Sequence, residues 1–172
     1  DMAYLEVGQG PPLVCVHGSL CDFRIWSAVL GPLTTRHRVI AVSLRHFFPE
    51  HWDGVGDTYS IAQHVDDVIA FIGKLDSGPV DLMGHSRGGH IAFRVAQHHP
   101  DLVAALVLVE PGGELDASLG GAPPTGNQAS AFGKAAALIG EGKIEDGLTV
   151  VAEHTGGPGA WAKRSEARKA VN

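Results

Sequence analysis

Short apolar runs alternate with longer amphipathic stretches through the first 110 residues, and each run has the length of a strand rather than a helix. Five are read as strands: Met2–Val7, Leu13–His17, Arg38–Val42, Val80–Met83 and Leu102–Glu110. Between them, Ile25, Trp26, Val29 and Leu30 share a helical face behind the N-cap candidate Asp22. Ile61, Val65, Val68, Ile69 and Ile72 form a second such face behind Ser60. A third helix carries Ile91, Ala92 and Val95 and stops at His98-His99-Pro100-Asp101, because proline cannot continue it. This alternation predicts βαβ crossovers, and hence an α/β fold on a mostly parallel sheet. The run Leu102–Val109 is apolar on both faces, as strands inside a parallel sheet are, and would be interior only in a fold where a further strand pairs with its outer edge. Gly8-Gln9-Gly10 predicts a hairpin turn, since no helix follows it to make a phosphate loop.

From Pro111 to Thr125 the composition shifts to Gly, Pro, Ala and Asp, which marks a connecting loop. Beyond it the pattern is helical, with Phe132, Ala135, Leu138 and Ile139 on one stretch and Ile144, Leu148 and Val151 on the next. A turn at Gly156-Gly157-Pro158-Gly159 leads into a Lys/Arg-rich tail. The expected organisation is a core over residues 1–110, then a seam loop and helices suited to cover a pocket mouth over 111–172.

Residues 84–90 read Gly-His-Ser-Arg-Gly-Gly-His, directly after the strand Val80–Met83 and ahead of an alanine-rich helix. A serine held at the tip of a sharp strand-to-helix turn needs glycine two residues before and two after, where any side chain would collide with strand or helix. Gly84 and Gly88, flanking His85, Ser86 and Arg87, meet that demand, so Ser86 is the candidate nucleophile of a nucleophile elbow. The pentapeptide alone is a weak signal in a chain with 23 glycines. A second loop adds weight: Leu13–Val16 runs into His17-Gly18-Ser19 at the end of another apolar strand. Acyl transfer by a serine requires two N–H groups aimed at the developing oxyanion, and the backbone N–H groups of Ser19 and Arg87 are the candidates. The Arg87 guanidinium and the Ser19 hydroxyl have no part in that task.

With 172 residues and 44% hydrophobic content, the chain is read as one soluble globular domain with an apolar core. A net charge of −6 with no basic stripe argues against nucleic acid, so a small-molecule substrate is the expected partner. Cys15 lies inside an apolar strand and Cys21 in a loop, and no CxxC or HExxH pattern exists, so neither metal nor cofactor is expected. The chain has no signal-peptide pattern and no run of 18 apolar residues, which predicts a cytoplasmic location and no membrane partner.

With the elbow, the His-Gly loop and this strand order, the chain resembles the α/β-hydrolase superfamily, in particular small bacterial serine esterases with a helical cap. The resemblance covers nearly its whole length. It implies a sheet of eight strands of which the second to sixth are present, a cap inserted after the sixth, and a seventh and eighth strand that deliver an acid and the catalytic histidine. It further implies that a chain running from Asp1 to Asn172 lacks those last strands and is inactive by itself. The open edge of the sixth strand would then be met by the missing C-terminal segment or by a dimer mate. None of the ten histidines stands out as the base: His17 and His85 belong to the two turns, His90 to the elbow helix, and the others to loops or helix ends. Glu110 ends the sixth strand at the carboxyl edge of the sheet and is the candidate acid. Two departures are Ser43, where the family usually has aspartate, and the aromatic segment His46–Trp52. That segment either lines the pocket or packs on its own aromatics.

The function expected from this resemblance is that of a carboxylesterase acting on a small or medium ester, thioester or lactone through an acyl-enzyme on Ser86. The same apparatus serves C–C hydrolases, acyltransferases, perhydrolases and hydroxynitrile lyases, and a noncatalytic ligand-binding relative is the answer of a different class. Serine rather than aspartate at position 86 counts against haloalkane dehalogenases and epoxide hydrolases, whose nucleophile in this family is a carboxylate.

Overall fold

The computed structural model describes residues 2–112 and 126–169. Five strands, β1 (Tyr4–Val7), β2 (Pro12–Val16), β3 (Arg38–Val42), β4 (Val80–His85) and β5 (Val103–Val109), form one sheet in the order β1-β3-β2-β4-β5. All neighbours are parallel except β1, which runs antiparallel to β3. The mostly parallel α/β sheet predicted by the apolar runs is therefore present. The first connection differs from expectation, because β1 pairs with β3 and not with β2. Gly8 and Gly10 make a positive-φ turn that lets the chain step across β3, and their Cα atoms pack on the carbonyl oxygens of His37 and Arg36. That turn is not a hairpin.

The central strands are buried on both faces, as parallel strands covered by helices must be. Val14 and Val16 of β2, Ile40 and Val42 of β3, and Val80 and Leu82 of β4 pack on one side with Val65, Val68 and Ile72 of α2 (Ile61–Leu75) and with Ile91, Ala92 and Val95 of α3 (Arg87–His98). Leu13, Cys15, Val39, Ala41 and Met83 pack on the other side with Trp26. Burial pushes the Cys15 thiol up to about 12, so it behaves as a small hydrophobe in this layer. Ser60 caps α2 by accepting a hydrogen bond from the Gln63 N–H at 3.0 Å.

The helix expected behind Asp22 is broken in two. Asp22 caps as predicted, accepting from the Arg24 N–H at 2.9 Å, but the turn that follows is a 3-10 helix over Phe23–Ala28, then a short α1 over Leu30–Leu33. Pro32 explains the break, since it has no N–H to give to residue 28 and its ring would clash with that carbonyl in a continuous helix.

β5 carries the open edge expected of the sixth strand in this chain. Among the described residues it lies at the edge of the sheet, paired only with β4, and Val107, Leu108 and Val109 are 46%, 38% and 37% exposed. Val103 and Leu106 still pack against the α2–α3 layer.

The chain divides into two compact units, Asp1–Gly113 and Glu114–Asn172. The seam loop expected at Pro111–Thr125 lies largely outside the described residues. In the second unit, α4 (Gly126–Gly140) and α5 (Ile144–Gly156) form a helical hairpin. Its close approach occurs at Gly147, where a Cβ would fall 2.8 Å from the Ala135 carbonyl oxygen and 2.6 Å from Ile139 Cγ1. Ile144, expected on the buried face, is exposed, and Gly147 and Ala152 take that place. Trp161 is buried with its Nε1–H donated to Glu145 at 3.1 Å, ahead of the single turn α6 (Glu166–Lys169).

Candidate active site

Ser86 sits between the end of β4 and the first residue of α3 at φ 50°, ψ −119°, a conformation L-residues rarely adopt. Three close approaches hold it there. A Cβ on Gly84 would meet Gly88 and Gly89 backbone, with Gly89 Cα 2.7 Å away, and one on Gly88 would run into the carbonyl oxygens of Val16 and His17 at the end of β2. A Cβ on Gly89 would stand 3.0 Å from Pro111, just past β5. The elbow is thus wedged between two strand ends through bare backbone, which is why glycine is required at these positions. Hydrogen bonds complete the hold: Ser86 N–H donates to the Val109 oxygen at 3.0 Å, and the Ser86 oxygen accepts from Gly112 N–H at 2.9 Å and His90 N–H at 3.1 Å. The roles of Gly89 and Gly112 were not read from the sequence, although the doubled glycine at 88–89 is the signal for the first.

The His17-Gly18-Ser19 loop faces the elbow. A Cβ on Gly18 would lie 3.1 Å from Ser86 Cβ and 3.0 Å from His85 Nδ1, so the loop touches the candidate nucleophile through a glycine. Ser19 follows it and is exposed. Arg87 opens α3, where N–H groups have no partner within the helix and the helix dipole favours negative charge. Among the described residues neither the Ser19 nor the Arg87 N–H is donated to a backbone carbonyl.

His17 is fully buried and staples this loop to its neighbour. Its Nδ1–H donates to the Gly18 oxygen at 2.7 Å and its Nε2 accepts from the Leu44 N–H at 3.0 Å, an arrangement only the neutral ring allows. His64 on α2 is the residue that sequence reasoning missed. It was grouped with histidines of loops and helix ends, yet it is fully buried, with Nε2–H donating to the Arg45 oxygen at 3.2 Å and Nδ1 accepting from Arg87 Nη2 at 3.2 Å. Its spacing from Ile61 and Val68 places it on the apolar stripe of α2, and that spacing is the signal in the sequence. The Arg87 guanidinium also lies 4.7 Å from the Tyr59 ring centroid.

The aromatic segment packs largely on itself and its neighbours. His46 stacks on Trp52 at 4.4 Å between centroids, Trp52 on Tyr59 at 5.2 Å, and Phe47 stands edge-on to His17 at 4.7 Å. The Ser43 hydroxyl donates to the Phe48 oxygen, which gives the residue at that departure a structural task. A cavity of about 820 Å³ opens beside Tyr4, Leu44, Arg45, Phe47, Asp67 and Phe71, and neither Ser86, Ser19 nor Arg87 lines it. Glu110 follows β5 at φ 44° with an exposed side chain, and among the described residues no hydrogen bond or ion pair engages it. Among those residues, likewise, no group of three metal-ligating side chains is assembled and no helix is long and apolar enough to cross a membrane.

Burial pushes His17 down to about 4, and burial followed by the Arg87 charge pushes His64 down to about 4. Both rings are neutral in the folded protein, whereas in the unfolded chain they gain protons below about pH 6.5. The unfolded state therefore binds more protons between these values, so stability is full above about pH 6.5 and is lost as pH falls through about 4. Urea midpoints measured between pH 7.5 and 4 are expected to fall, and to fall less steeply in His17→Gln. Parallel slopes in the two proteins would contradict this origin.

Compared with known proteins, residues 11–138 match the family described as the alpha/beta hydrolase fold. A haloalkane dehalogenase from Mycolicibacterium paratuberculosis is 30% identical over 146 residues, covering 83% of this chain and 48% of that protein. An (E)-2-((N-methylformamido)methylene)succinate hydrolase from Acinetobacter baylyi is 31% identical over 108 residues, covering 62% of this chain and 40% of its own. Among solved structures, a hydrolase from Pseudomonas aeruginosa superposes with a TM-score of 0.63 at 24% identity, over 80% of this chain and 48% of that one, which is a likeness of fold. The chain thus spans less than half the length of each of these proteins.

Proposed function

The chain belongs to the α/β-hydrolase family, and from that premise we propose that the whole protein is a serine hydrolase, a carboxylesterase cleaving small or medium esters, thioesters or lactones through an acyl-enzyme on Ser86. The observation that carries this reading is the strained Ser86 turn with the Gly18 loop packed against it. In the reading, Ser86 Oγ attacks the acyl carbon, its proton passes to a base, and the N–H groups of Ser19 and Arg87 hold the oxyanion. Collapse of the tetrahedral intermediate expels the alcohol, protonated by the same base, and water then releases the acid. Neither His17 nor His64 is that base, because both ring nitrogens of each are engaged elsewhere. The base is proposed to come from a part of the whole protein outside this chain, which spans less than half the length of these relatives, the α4–α5 hairpin to belong to a helical cap, and the exposed β5 edge to pair with a further strand or a second copy.

Covalent labelling tests the reading. A fluorophosphonate probe is expected to modify Ser86 of the whole protein, as read by peptide mass spectrometry, and labelling at another serine would overturn the assignment. A second reading within the same chemistry, hydrolysis of a succinate-type substrate, is favoured by the likeness to the Acinetobacter baylyi hydrolase. Comparing turnover of neutral and dicarboxylate substrates separates the two.

Glu110 is retained as the candidate acid because it directly follows Val109, whose carbonyl holds the Ser86 N–H. In that role, Glu110→Gln is expected to lower kcat by about 10⁴-fold, the loss seen when a triad carboxylate is removed, with the thermal midpoint unchanged. Near-normal turnover would move the acid to another carboxylate.

A further inference from the structure

Arg87 directly follows the candidate nucleophile in the chain, and among the described residues no carboxylate pairs with its guanidinium. Its guanidinium is instead held by a neutral imidazole, with Nη2 3.2 Å from His64 Nδ1, and by the face of Tyr59. A guanidinium only donates and a carbonyl only accepts. Between Arg87 and the Arg45 oxygen, therefore, only the neutral His64 ring with its proton on Nε2 makes both bonds. The far end of this chain is fixed as well, since Arg45 donates to both oxygens of Asp67 at 2.8 and 2.6 Å.

Residues 86–89 are Ser-Arg-Gly-Gly, so Arg87 is the one long side chain there that reaches another element. Oxyanion donors must be held in place before the charge develops, and an ångström of looseness costs on the order of 100-fold in rate. We propose that His64 is a positioning residue of the oxyanion hole: it ties the elbow to α2 through the Arg87 side chain and so keeps the Arg87 backbone N–H aimed where the oxyanion forms. This rests on the serine-hydrolase reading above. It assigns a task to a buried polar residue on an otherwise apolar helix face, and to a guanidinium that the elbow chemistry itself does not use.

The test is a double-mutant cycle on the whole protein with p-nitrophenyl butyrate as substrate. His64→Leu is expected to lower kcat by about 10- to 100-fold with KM within about twofold, the signature of a lost transition-state interaction. His64→Gln keeps an amide oxygen for Arg87 and an N–H for the Arg45 carbonyl, and should restore most of kcat. Arg87→Met should lose as much as His64→Leu, and the double variant no more than the worse single, because both break one link. A His64→Leu kcat within twofold of the parent overturns the proposal, and so do losses that multiply in the double variant. If His64→Leu does not fold, Arg87→Met decides: full kcat in that variant overturns the proposal, and a loss matching the predicted range supports it. Ser86→Ala, run in parallel, separates the two claims. Turnover surviving there overturns the serine-hydrolase reading, whereas loss there beside an unaffected His64→Leu overturns only the positioning role.

Discussion

Replacing Ser86 by alanine is expected to abolish ester hydrolysis by the whole protein, by about 10⁴-fold or more in kcat, with the thermal midpoint moved by no more than about 2 °C. The two halves of this expectation have separate causes. Activity falls because the hydroxyl is the only atom removed and, in the proposed reaction, it forms the acyl bond. Stability stays because the hydroxyl makes no capping bond to α3, while the bonds that fix the turn are made by the Ser86 backbone N–H and carbonyl. Alanine at φ 50° bears about the same strain as serine, so the elbow keeps its shape. Residual activity from the oxyanion donors and substrate binding sets the floor. Turnover within tenfold of the parent would show that another group is the nucleophile. A large fall in the thermal midpoint would show that the hydroxyl is structural.

What was legible in the sequence was whatever depends on local chemistry. The apolar runs specify the strands because a buried parallel strand must be apolar on both faces, and the elbow was readable because only glycine permits the backbone contacts around Ser86. What failed depends on partners distant in the chain. Gly8–Gly10 has hairpin composition, but β3, formed some thirty residues later, inserts beside β2 and takes β1 as its antiparallel neighbour. The helix behind Asp22 had the right apolar spacing, and Pro32 overrode it. The two apolar faces and the open outer edge of β5 were legible, whereas a partner for that edge is not encoded in its own residues. At the site, the backbone requirements were visible, whereas the side-chain network was not. His64 and Tyr59 converge on Arg87, with the Arg45 carbonyl behind His64, from a helix and a loop that only the fold brings to the elbow. A histidine beside Val65 carries no mark of its partner, and the guanidinium had no assigned role until that partner was placed.

The glycines of the elbow should show the largest effect on stability, and Gly88→Ala is the cleanest case. Gly88 lies inside α3 with ordinary helical geometry, so intrinsic propensity alone would favour alanine by about 1 kcal/mol. Packing opposes it. The added methyl would collide with the carbonyl oxygens of Val16 and His17 and stand 2.7 Å from the Val16 carbonyl carbon, all of it backbone that no rotamer change can clear. Relief requires β2 to part from α3, which would disturb Leu13–Val16 at the centre of the sheet and pull the Gly18 loop off Ser86. Overpacking of this kind costs about 3 kcal/mol or more, a large share of the about 5–15 kcal/mol that holds an ordinary domain folded. Gly73→Ala supplies the control of opposite sign: it lies on the exposed side of α2, nothing stands within 4 Å of its added Cβ, and it should stabilise by about 0.5–1 kcal/mol. Urea unfolding of the two variants beside the parent reads both effects. A Gly88→Ala midpoint equal to the parent's, with Ser86 still labelled by a fluorophosphonate at the parent's rate, would mean that the close contact between β2 and the elbow is not required, and that backbone crowding is not why glycine stands at position 88.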